Sequence, residues 1–254
     1  MSVAKEQREK LIWEFPNIGK KAPEQEEKAF AYCEGYKEFL NAAKTEREFV
    51  REAVLRLKEA GYEEFEEGKI YQPGDKVYQI NRKKALLMST FGKRPLEDGV
   101  RINVAHIDSP RLDLKPNPLY EKAEAAYFKT HYYGGIRKYQ WATIPLAMHG
   151  VVILKDGTSM DICIGEKEGD PVFCVTDLLP HLAAQQNERK LKDGIKGEEL
   201  NIIVGSLPYP CEEEDSIKEP VKLLALSILN ERFGMTEKDF LRAEIEFVPA
   251  VKAT

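Results

Sequence analysis

Apolar residues near the start of the chain recur at the spacing of an α-helix. Residues 23–43 begin with an acidic turn, which suits the positive end of a helix. The apolar positions that follow lie three or four residues apart, at Ala29, Phe30, Cys33, Tyr36, Phe39 and Leu40. This spacing predicts a helix with its apolar face toward the core. A second helix is predicted next, with Thr45 as N-cap, Glu48 completing a capping box and Gly61 at its C-terminal end.

After Gly61 the pattern changes to short runs of β type, separated by Gly, Pro and Asp. Residues 76–82 and 84–92 predict two neighbouring strands. Residues 100–108, VRINVAHID, predict a buried strand whose charged end emerges at its C-terminal edge. Open α/β sheets bind their ligands at that edge, so the end of this strand is the first place to look for a site.

From about residue 112 the chain alternates aromatic and polar residues between Pro and Gly punctuation, which predicts a mostly antiparallel β-domain. Further strands are predicted at 150–156, 159–166, 171–178 and 243–251, and further helices at 177–191 and 221–234. The predicted fold class is therefore α/β, with a β-rich domain inserted between stretches of α/β character.

Charge and cysteine usage narrow the class of protein. The 254 residues carry 38 Lys and Arg against 43 Asp and Glu, a net charge of -5 without basic clusters, which disfavours nucleic acid as a partner. The N-terminus is charged, and no apolar run approaches the roughly 18 residues that a membrane span needs, so no membrane association is expected. A cytoplasmic location is expected because the cysteines lie far apart without a C-x-x-C pair, at Cys33, Cys163, Cys174 and Cys211.

The candidate chemistry lies at His106 and Asp108. Residues two apart on a strand point to the same face, so the two side chains are expected to project together. Imidazole is a good zinc ligand, and a nearby carboxylate can hold the ring tautomer that leaves the other nitrogen free for metal. The spacing alone leaves a structural alternative open, in which His106 is a satisfied histidine and Asp108 caps a turn before Pro110.

Three longer segments carry a family resemblance. AHIDSPRLDLKPNPLYE, THYYGGIRKYQWATIPLAMHGVV and DLLPHLA, in this order, resemble the aminopeptidase I and aspartyl aminopeptidase family of dinuclear zinc exopeptidases, most of all its bacterial type. The resemblance implies a zinc aminopeptidase that removes N-terminal residues from peptides, with His106 as a metal ligand and Asp108 as the orienting residue. It implies two zinc ions in a complete site, with cobalt or manganese as alternatives, and assembly into large homo-oligomers. His181 matches a position near the subunit interface and is a candidate contact to a neighbouring subunit's site.

The resemblance also implies a domain plan. Residues 1–111 match the N-terminal part of an α/β/α catalytic domain, 112–247 match an inserted β-rich dimerisation domain, and 248–254 match the return to the catalytic domain. Family members continue into a second catalytic half, which supplies a bridging Asp, a Glu-Glu pair, a further carboxylate and a last His. We find no counterpart of these residues in the sequence, so the metal site is expected to be incomplete within these 254 residues.

Two hypotheses of function follow from the sequence. The first is a metal-dependent aminopeptidase, and the second is an inactive truncated homologue that serves as an oligomerisation or interaction module. A fragment of a longer gene product would explain the missing half under either hypothesis. A concentration of aromatic residues suits a shared surface or a β-domain core equally well, at Tyr127, Phe128, Tyr132, Tyr133, Tyr139 and Trp141.

Overall fold

The computed structural model describes residues 3–13, 15, 22–210 and 217–254, so Cys211 lies outside the described residues. The chain divides into two compact units, one of Met1–Ala42 with Lys252–Thr254 and one of Ala43–Val251. The domain boundaries after residues 111 and 247 stay predictions.

The described residues of the first unit form two helices, α1 (Val3–Leu11) and α2 (Pro23–Ala42). The helix predicted at 23–43 is therefore confirmed. The expectation that its apolar face is buried is wrong, because Phe30 is 65% exposed and Tyr36 is also exposed. Helix α1 is nine residues long and mainly charged, and its apolar residues Val3 and Leu11 are exposed as well. Within the described part of the chain, no helix is long and apolar enough to cross a membrane.

The second unit begins with helix α3 (Glu46–Glu59), whose start follows the predicted capping box. The Thr45 hydroxyl accepts the backbone N–H of Glu48 at 3.3 Å, and the Glu48 carboxylate accepts the backbone N–H of Thr45 at 3.1 Å. Ala60 is the C-cap, and Gly61 follows with a φ of 81°, a left-handed conformation that glycine adopts without steric cost. Local chemistry thus determines both ends of this helix.

A small three-stranded sheet follows α3. Its strands are β1 (Glu63–Glu64), β2 (Lys76–Asn81) and β3 (Ala85–Thr90), in that spatial order. β1 pairs parallel to β2, and β2 pairs antiparallel to β3. The two neighbouring strands expected from the sequence are confirmed, and Val77 and Tyr78 in β2 are buried.

The remaining strands form one seven-stranded sheet, ordered β7-β6-β10-β4-β5-β9-β8, in which every neighbouring pair is antiparallel. This confirms the antiparallel β-rich region, although the strand expected at 171–178 contracts to two residues. The strands are β4 (Arg111–Lys122), β5 (Ala125–Tyr133), β6 (Leu146–Ile153), β7 (Ser159–Ile164), β8 (Cys174–Val175), β9 (Ile202–Gly205) and β10 (Ala243–Pro249).

In the described part of the second unit, two further α-helices accompany this sheet, α4 (Ala184–Asn187) and α5 (Pro220–Phe233). The α5 prediction is confirmed, including the stop at Gly234, which has a φ of 68°. The helix predicted at 177–191 is wrong except for α4. Pro180 disfavours helical backbone in the residue before it, so the segment begins as turns. Short 3-10 turns lie at Leu96–Asp98, Lys138–Gln140, Leu191–Asp193, Gly197–Glu199 and Glu237–Arg242.

One face of the large sheet carries the hydrophobic core. Leu112, Phe128 and Phe247 are buried there, together with Val221 and Leu229 from α5. The Phe247 ring centroid lies 5.9 Å from that of Phe128, so aromatic packing joins β10 to β5 across the intervening strand. Full burial of each such side chain contributes about 1.5–3 kcal/mol, which makes this face the main source of stability.

The opposite face of the sheet is polar and lies against the first turns of α3. Residue alternation places Glu246 of β10 beside His149 of β6 on this face. His149 is buried, with Nδ1 2.7 Å from the Glu48 carboxylate and Nε2 3.0 Å from the Glu166 carboxylate. Lys44 donates to Glu166 at 2.7 Å. A charged hydrogen-bond network thus fastens α3 to the sheet.

The close pairing of β6 with β10 beside this network requires a glycine. A Cβ on Gly150 would lie 2.1 Å from the Glu244 carbonyl oxygen and 2.8 Å from the Ile245 Cα. Neither backbone atom can move without breaking the ladder between the two strands. Gly150 therefore permits the close approach that brings the His149 and Glu246 side chains together.

Replacing His149 with Gln should destabilise the chain by roughly 2 kcal/mol at pH 6, because two half-buried carboxylates lose a cationic partner. Burial lowers the pKa of His149, but the hydrogen bonds to Glu48 and Glu166 raise it more, so its pKa lies above the ordinary value. A raised imidazole pKa stabilises the fold fully below the unfolded pKa of about 6.5 and is lost as the pH rises through the folded pKa. The destabilisation should therefore shrink at pH 9. Urea unfolding at both pH values tests this, with the exposed His131→Gln as control, and an equal loss at both would contradict it.

Candidate functional site

The segment that leads to His106 is irregular. Residues 100–108 pair with none of the described strands, so the strand predicted there is wrong. Its alternating apolar residues Val100, Ile102 and Val104 are exposed, the last by 89%. A strand needs a neighbour to satisfy its backbone groups, and the described strands of both sheets pair among themselves instead. The alternation of apolar and polar residues would suit a paired strand, but this segment pairs with none of the described strands.

His106 and Asp108 nevertheless lie together, as their spacing predicted. His106 Nδ1 is 3.3 Å from Asp108 Oδ1 and 3.1 Å from the Asp108 carbonyl oxygen. Both neighbours are acceptors, so they favour the tautomer with the proton on Nδ1. The Nε2 lone pair is then available to a metal, and the imidazole is 87% exposed. The arrangement suits an oriented metal ligand.

Asp108 is held on its other side by Tyr133, the last residue of β5. The Tyr133 hydroxyl donates a 2.7 Å hydrogen bond to Asp108 Oδ2. This bond lowers the pKa of Asp108 and raises the pKa of Tyr133, and both shifts describe the same contact. Asp108 is therefore an ionised acceptor at neutral pH, which is the state that can hold the His106 N–H.

The Tyr133 ring rests on Arg111, its partner in the β4–β5 ladder. The guanidinium carbon lies 4.1 Å from the ring centroid, within the range of a cation–π contact. Arg111 is buried and donates 2.8 Å hydrogen bonds to Glu46 of α3 and to Asp113 of β4. These ion pairs fix the position of the guanidinium, so the Tyr133 ring packs against a rigid group.

A close backbone approach joins the His106 segment to the end of β5. Gly134 has a φ of 83°, and a Cβ there would lie 3.4 Å from the Pro110 Cα. The left-handed conformation lets the chain turn directly after Tyr133, beside the residue that ends the His106 segment. Asp108 and Tyr133 are therefore brought together by backbone geometry as well as by their hydrogen bond.

The other histidines lie in different surroundings. His131 is exposed on β5, and His149 belongs to the buried network that fastens α3. His181 is exposed in the turn before α4. Among the described contacts, none joins His181 to His106. A contribution of His181 to a neighbouring subunit's site stays a prediction.

The donor set around His106 fits one corner of a zinc site. Catalytic zinc generally has three protein ligands, whereas His106 and Asp108 supply one imidazole nitrogen and one carboxylate. In the described part of the chain, the group of three or more potential ligand side chains that lie close together is elsewhere, at Glu46, Glu244 and Glu246. The described residues therefore do not close a site around His106.

The three glutamates belong to a salt network, in which Glu46 and Glu246 are buried and Glu244 is half-buried. Their nearest oxygens lie within 4.8 Å of one another, a separation that a cation could bridge. However, positively charged side chains already lie beside these glutamates. Glu46 binds Arg111, and Glu244 pairs with both Arg47 at 2.8 Å and Lys84. Since these positive side chains compensate most of the negative charge, a metal ion has little to gain there.

Sequence reasoning missed Tyr133 and Arg111 as parts of the site. Arg111 follows the HIDSP string directly, but Tyr133 lies 22 positions further along the chain. Their contact depends on the register of β4 against β5, in which they are paired residues. The alternation of both strands is visible in the sequence, whereas the register is not. The turn at Ala123 and Glu124 sets the register next to it, and an irregularity between Leu114 and Leu119 then shifts it to the one that pairs Arg111 with Tyr133.

The chain is similar to several known proteins. The family described as aminopeptidase I zinc metalloprotease (M18) matches residues 39–254. A probable M18 family aminopeptidase 1 of Clostridium acetobutylicum is 48% identical over 248 residues, which cover 96% of this chain and 53% of that protein. The crystal structure of the M18 aminopeptidase from Thermotoga maritima superposes with a TM-score of 0.85 at 45% identity, covering 95% of this chain and 52% of that one.

More distant structures share the fold. The mApe1 dodecamer of Saccharomyces cerevisiae has a TM-score of 0.60 at 19% identity, over 86% of this chain and 48% of that one. These likenesses confirm the α/β fold class. The chain spans about half the length of the relatives that it matches.

Glu246→Gln should flatten the pH dependence of stability. Burial and the negative charge of Glu46 raise the pKa of Glu246 to about 8, against the partial opposition of Arg111. An acid with a raised pKa stabilises the fold fully below its unfolded pKa of about 4.3, and this contribution is lost as the pH rises through the folded value. Gln imitates the protonated acid, so the variant should gain on the wild type between pH 5 and pH 8, by roughly 1–3 kcal/mol in the free energy of unfolding.

Denaturant unfolding across this pH range checks the prediction. The exposed Glu237→Gln serves as the control, because its carboxylate pairs with Lys222 at the surface and should leave the profile unchanged. A variant whose stability falls with pH as steeply as that of the wild type would show that Glu246 is ionised in the fold.

Proposed function

Because the chain belongs to the aminopeptidase I zinc metalloprotease family, M18, we propose that it takes part in metal-dependent removal of N-terminal residues from peptides. Its contribution is one metal ligand, His106, and the carboxylate that orients it, Asp108. The observation that supports this is the 3.3 Å contact between His106 Nδ1 and Asp108 Oδ1, which leaves Nε2 for a metal.

His106 as the ligand and Asp108 as the orienting carboxylate have separate roles that suit zinc chemistry. A neutral imidazole whose N–H faces a carboxylate is a stronger and better oriented metal ligand, through its other nitrogen, than a free one. Zinc in such a site polarises the scissile carbonyl and lowers the pKa of bound water. We propose a dinuclear site, with cobalt or manganese as alternatives to zinc, in which His106 occupies one position.

The proposed activity depends on more than these residues. The relatives are about twice as long as this chain, and the described residues do not close a metal site. We therefore propose that the 254 residues alone bind zinc weakly and have negligible peptidase activity. A cytoplasmic location remains part of the proposal.

A zinc titration followed by NMR tests the assignment of the ligand. Zinc should shift the His106 ring nitrogens at the lowest concentrations, and His106→Ala should remove this binding step. His131→Ala is the matched control, because His131 is an exposed histidine of the same unit. Aminoacyl p-nitroanilide hydrolysis should stay at background with zinc present. The ligand assignment is wrong if His106→Ala and His131→Ala bind zinc equally, and efficient hydrolysis would refute the proposed dependence on further residues.

A second candidate function is homo-oligomerisation, which one surface favours. Leu178, Leu179 and Leu182 are all exposed around His181, and Leu179 is 66% exposed. Contiguous exposed apolar side chains often mark protein interfaces. We propose that this turn contacts a second copy of the chain and that His181 lies at the edge of that contact.

Light scattering checks the second candidate. The wild type should exceed the monomer mass, and Leu179→Glu should shift it toward the monomer by placing a charge in the apolar contact. Leu207→Glu is the control, because Leu207 is comparably exposed but lies outside the Leu178–Leu182 turn. A monomeric wild type, or equal dissociation in both variants, argues against this surface.

A further inference from the structure

The two carboxylate oxygens of Asp108 have different neighbours. Oδ1 faces His106 Nδ1 at 3.3 Å, whereas Oδ2 accepts the Tyr133 hydroxyl at 2.7 Å. The contact to Tyr133 is the shorter of the two and has the length of a charge-assisted hydrogen bond. The orientation of Asp108 is therefore determined on the side away from His106.

Asp108 needs an external support because its own segment provides little. Residues 101–110 contain no helix or strand, and the imidazole of His106 is almost fully exposed. A carboxylate in such a segment would otherwise rotate among several side-chain conformers. Tyr133, in contrast, ends a strand that pairs with β4 along its length.

Tyr133 is itself held in place by residues of the interior. Its ring stacks on Arg111, whose guanidinium is held by Glu46 and Asp113 at 2.8 Å each. Arg111 is 8% exposed, so its conformation is restricted by packing and by ion pairs. The hydroxyl of Tyr133 is thus held in place by buried residues and donates to a carboxylate in an irregular segment.

We propose that Tyr133 is a positioning residue for the metal ligand, acting through Asp108. Its hydroxyl holds Asp108 so that Oδ1, together with the Asp108 carbonyl oxygen, faces His106 Nδ1, at 3.3 Å and 3.1 Å. The proton then stays on Nδ1 and the Nε2 lone pair is free. The inference rests on the proposed role of His106 as a metal ligand, but the positioning itself exists without metal. Tyr133 touches neither substrate nor metal in this account.

Removing only the hydroxyl isolates this role. Tyr133→Phe keeps the ring that stacks on Arg111 and releases Asp108 Oδ2. The Nδ1–H tautomer of His106 should then lose population to the Nε2–H tautomer. Zinc affinity at His106 should fall by roughly 10-fold, the lower end of the range for residues that orient a metal ligand.

The experiment compares long-range 1H–15N spectra of His106 in metal-free wild type, Tyr133→Phe and Tyr132→Phe, followed by zinc titration of each. Tyr132→Phe is the matched control, because Tyr132 is the adjacent tyrosine and packs near Gly197 and Lys138 instead of Asp108. Thermal unfolding shows whether the variants keep the fold. We expect a changed tautomer ratio in Tyr133→Phe alone.

A double-mutant cycle with Asp108→Asn separates positioning from a general structural effect. If Tyr133 acts through Asp108, Tyr133→Phe should have no further effect on the tautomer once Asp108 is Asn. An unchanged tautomer ratio in Tyr133→Phe, or an equal change in the Asp108→Asn background, overturns the proposal. Failure of zinc to contact His106 in any variant would instead refute the proposed function, since the tautomer is measured without metal.

Discussion

The buried guanidinium of Arg111 is the interaction on which the rest of the second unit depends. It joins Glu46 of α3 to Asp113 of β4, and its Nε lies 3.5 Å from Glu246 of β10. A buried charge is costly unless its partners stay in place, so these ion pairs penalise any sliding of the helix along the sheet or of one strand past another. The same guanidinium supports the Tyr133 ring, which links the interior to the candidate site.

Arg111 thus serves both the ion pairs and the Tyr133 ring. The geometry around Asp108 therefore tolerates the loss of charge at Glu246 but depends on Glu46 and Asp113. Protonation of Glu246 weakens the 3.5 Å contact but leaves both 2.8 Å hydrogen bonds of Arg111 intact. The guanidinium therefore keeps its orientation when Glu246 is neutral, and Tyr133 keeps its platform. Loss of Glu46 or Asp113 would remove one of the bonds that define that orientation. The stability of the polar face and the geometry around Asp108 are thus coupled through a single side chain.

Local patterns predicted the elements whose causes are local. The capping box at Thr45 and Glu48, the Gly234 stop and the neighbouring strands β2 and β3 all form as the sequence indicates. The pattern at 100–108 fails because alternation expresses the ability to pair, whereas residues 100–108 pair with none of the described strands. The apolar face of α2 is exposed for a similar reason, since spacing predicts a stripe but not the surface that covers it.

The candidate site also has one part that the local sequence predicts and another that depends on the fold. His106 and Asp108 meet although their segment is not a strand, because residues two apart remain within reach and the Asp108 carbonyl also faces the imidazole. That part of the site could be predicted from spacing. Tyr133 and Arg111 could not, because their contact depends on the β4–β5 register and on the turn at Gly134. Chemistry suited to metal is therefore encoded in a short string, whereas its orientation depends on the sheet register and on the ion pairs that hold Arg111.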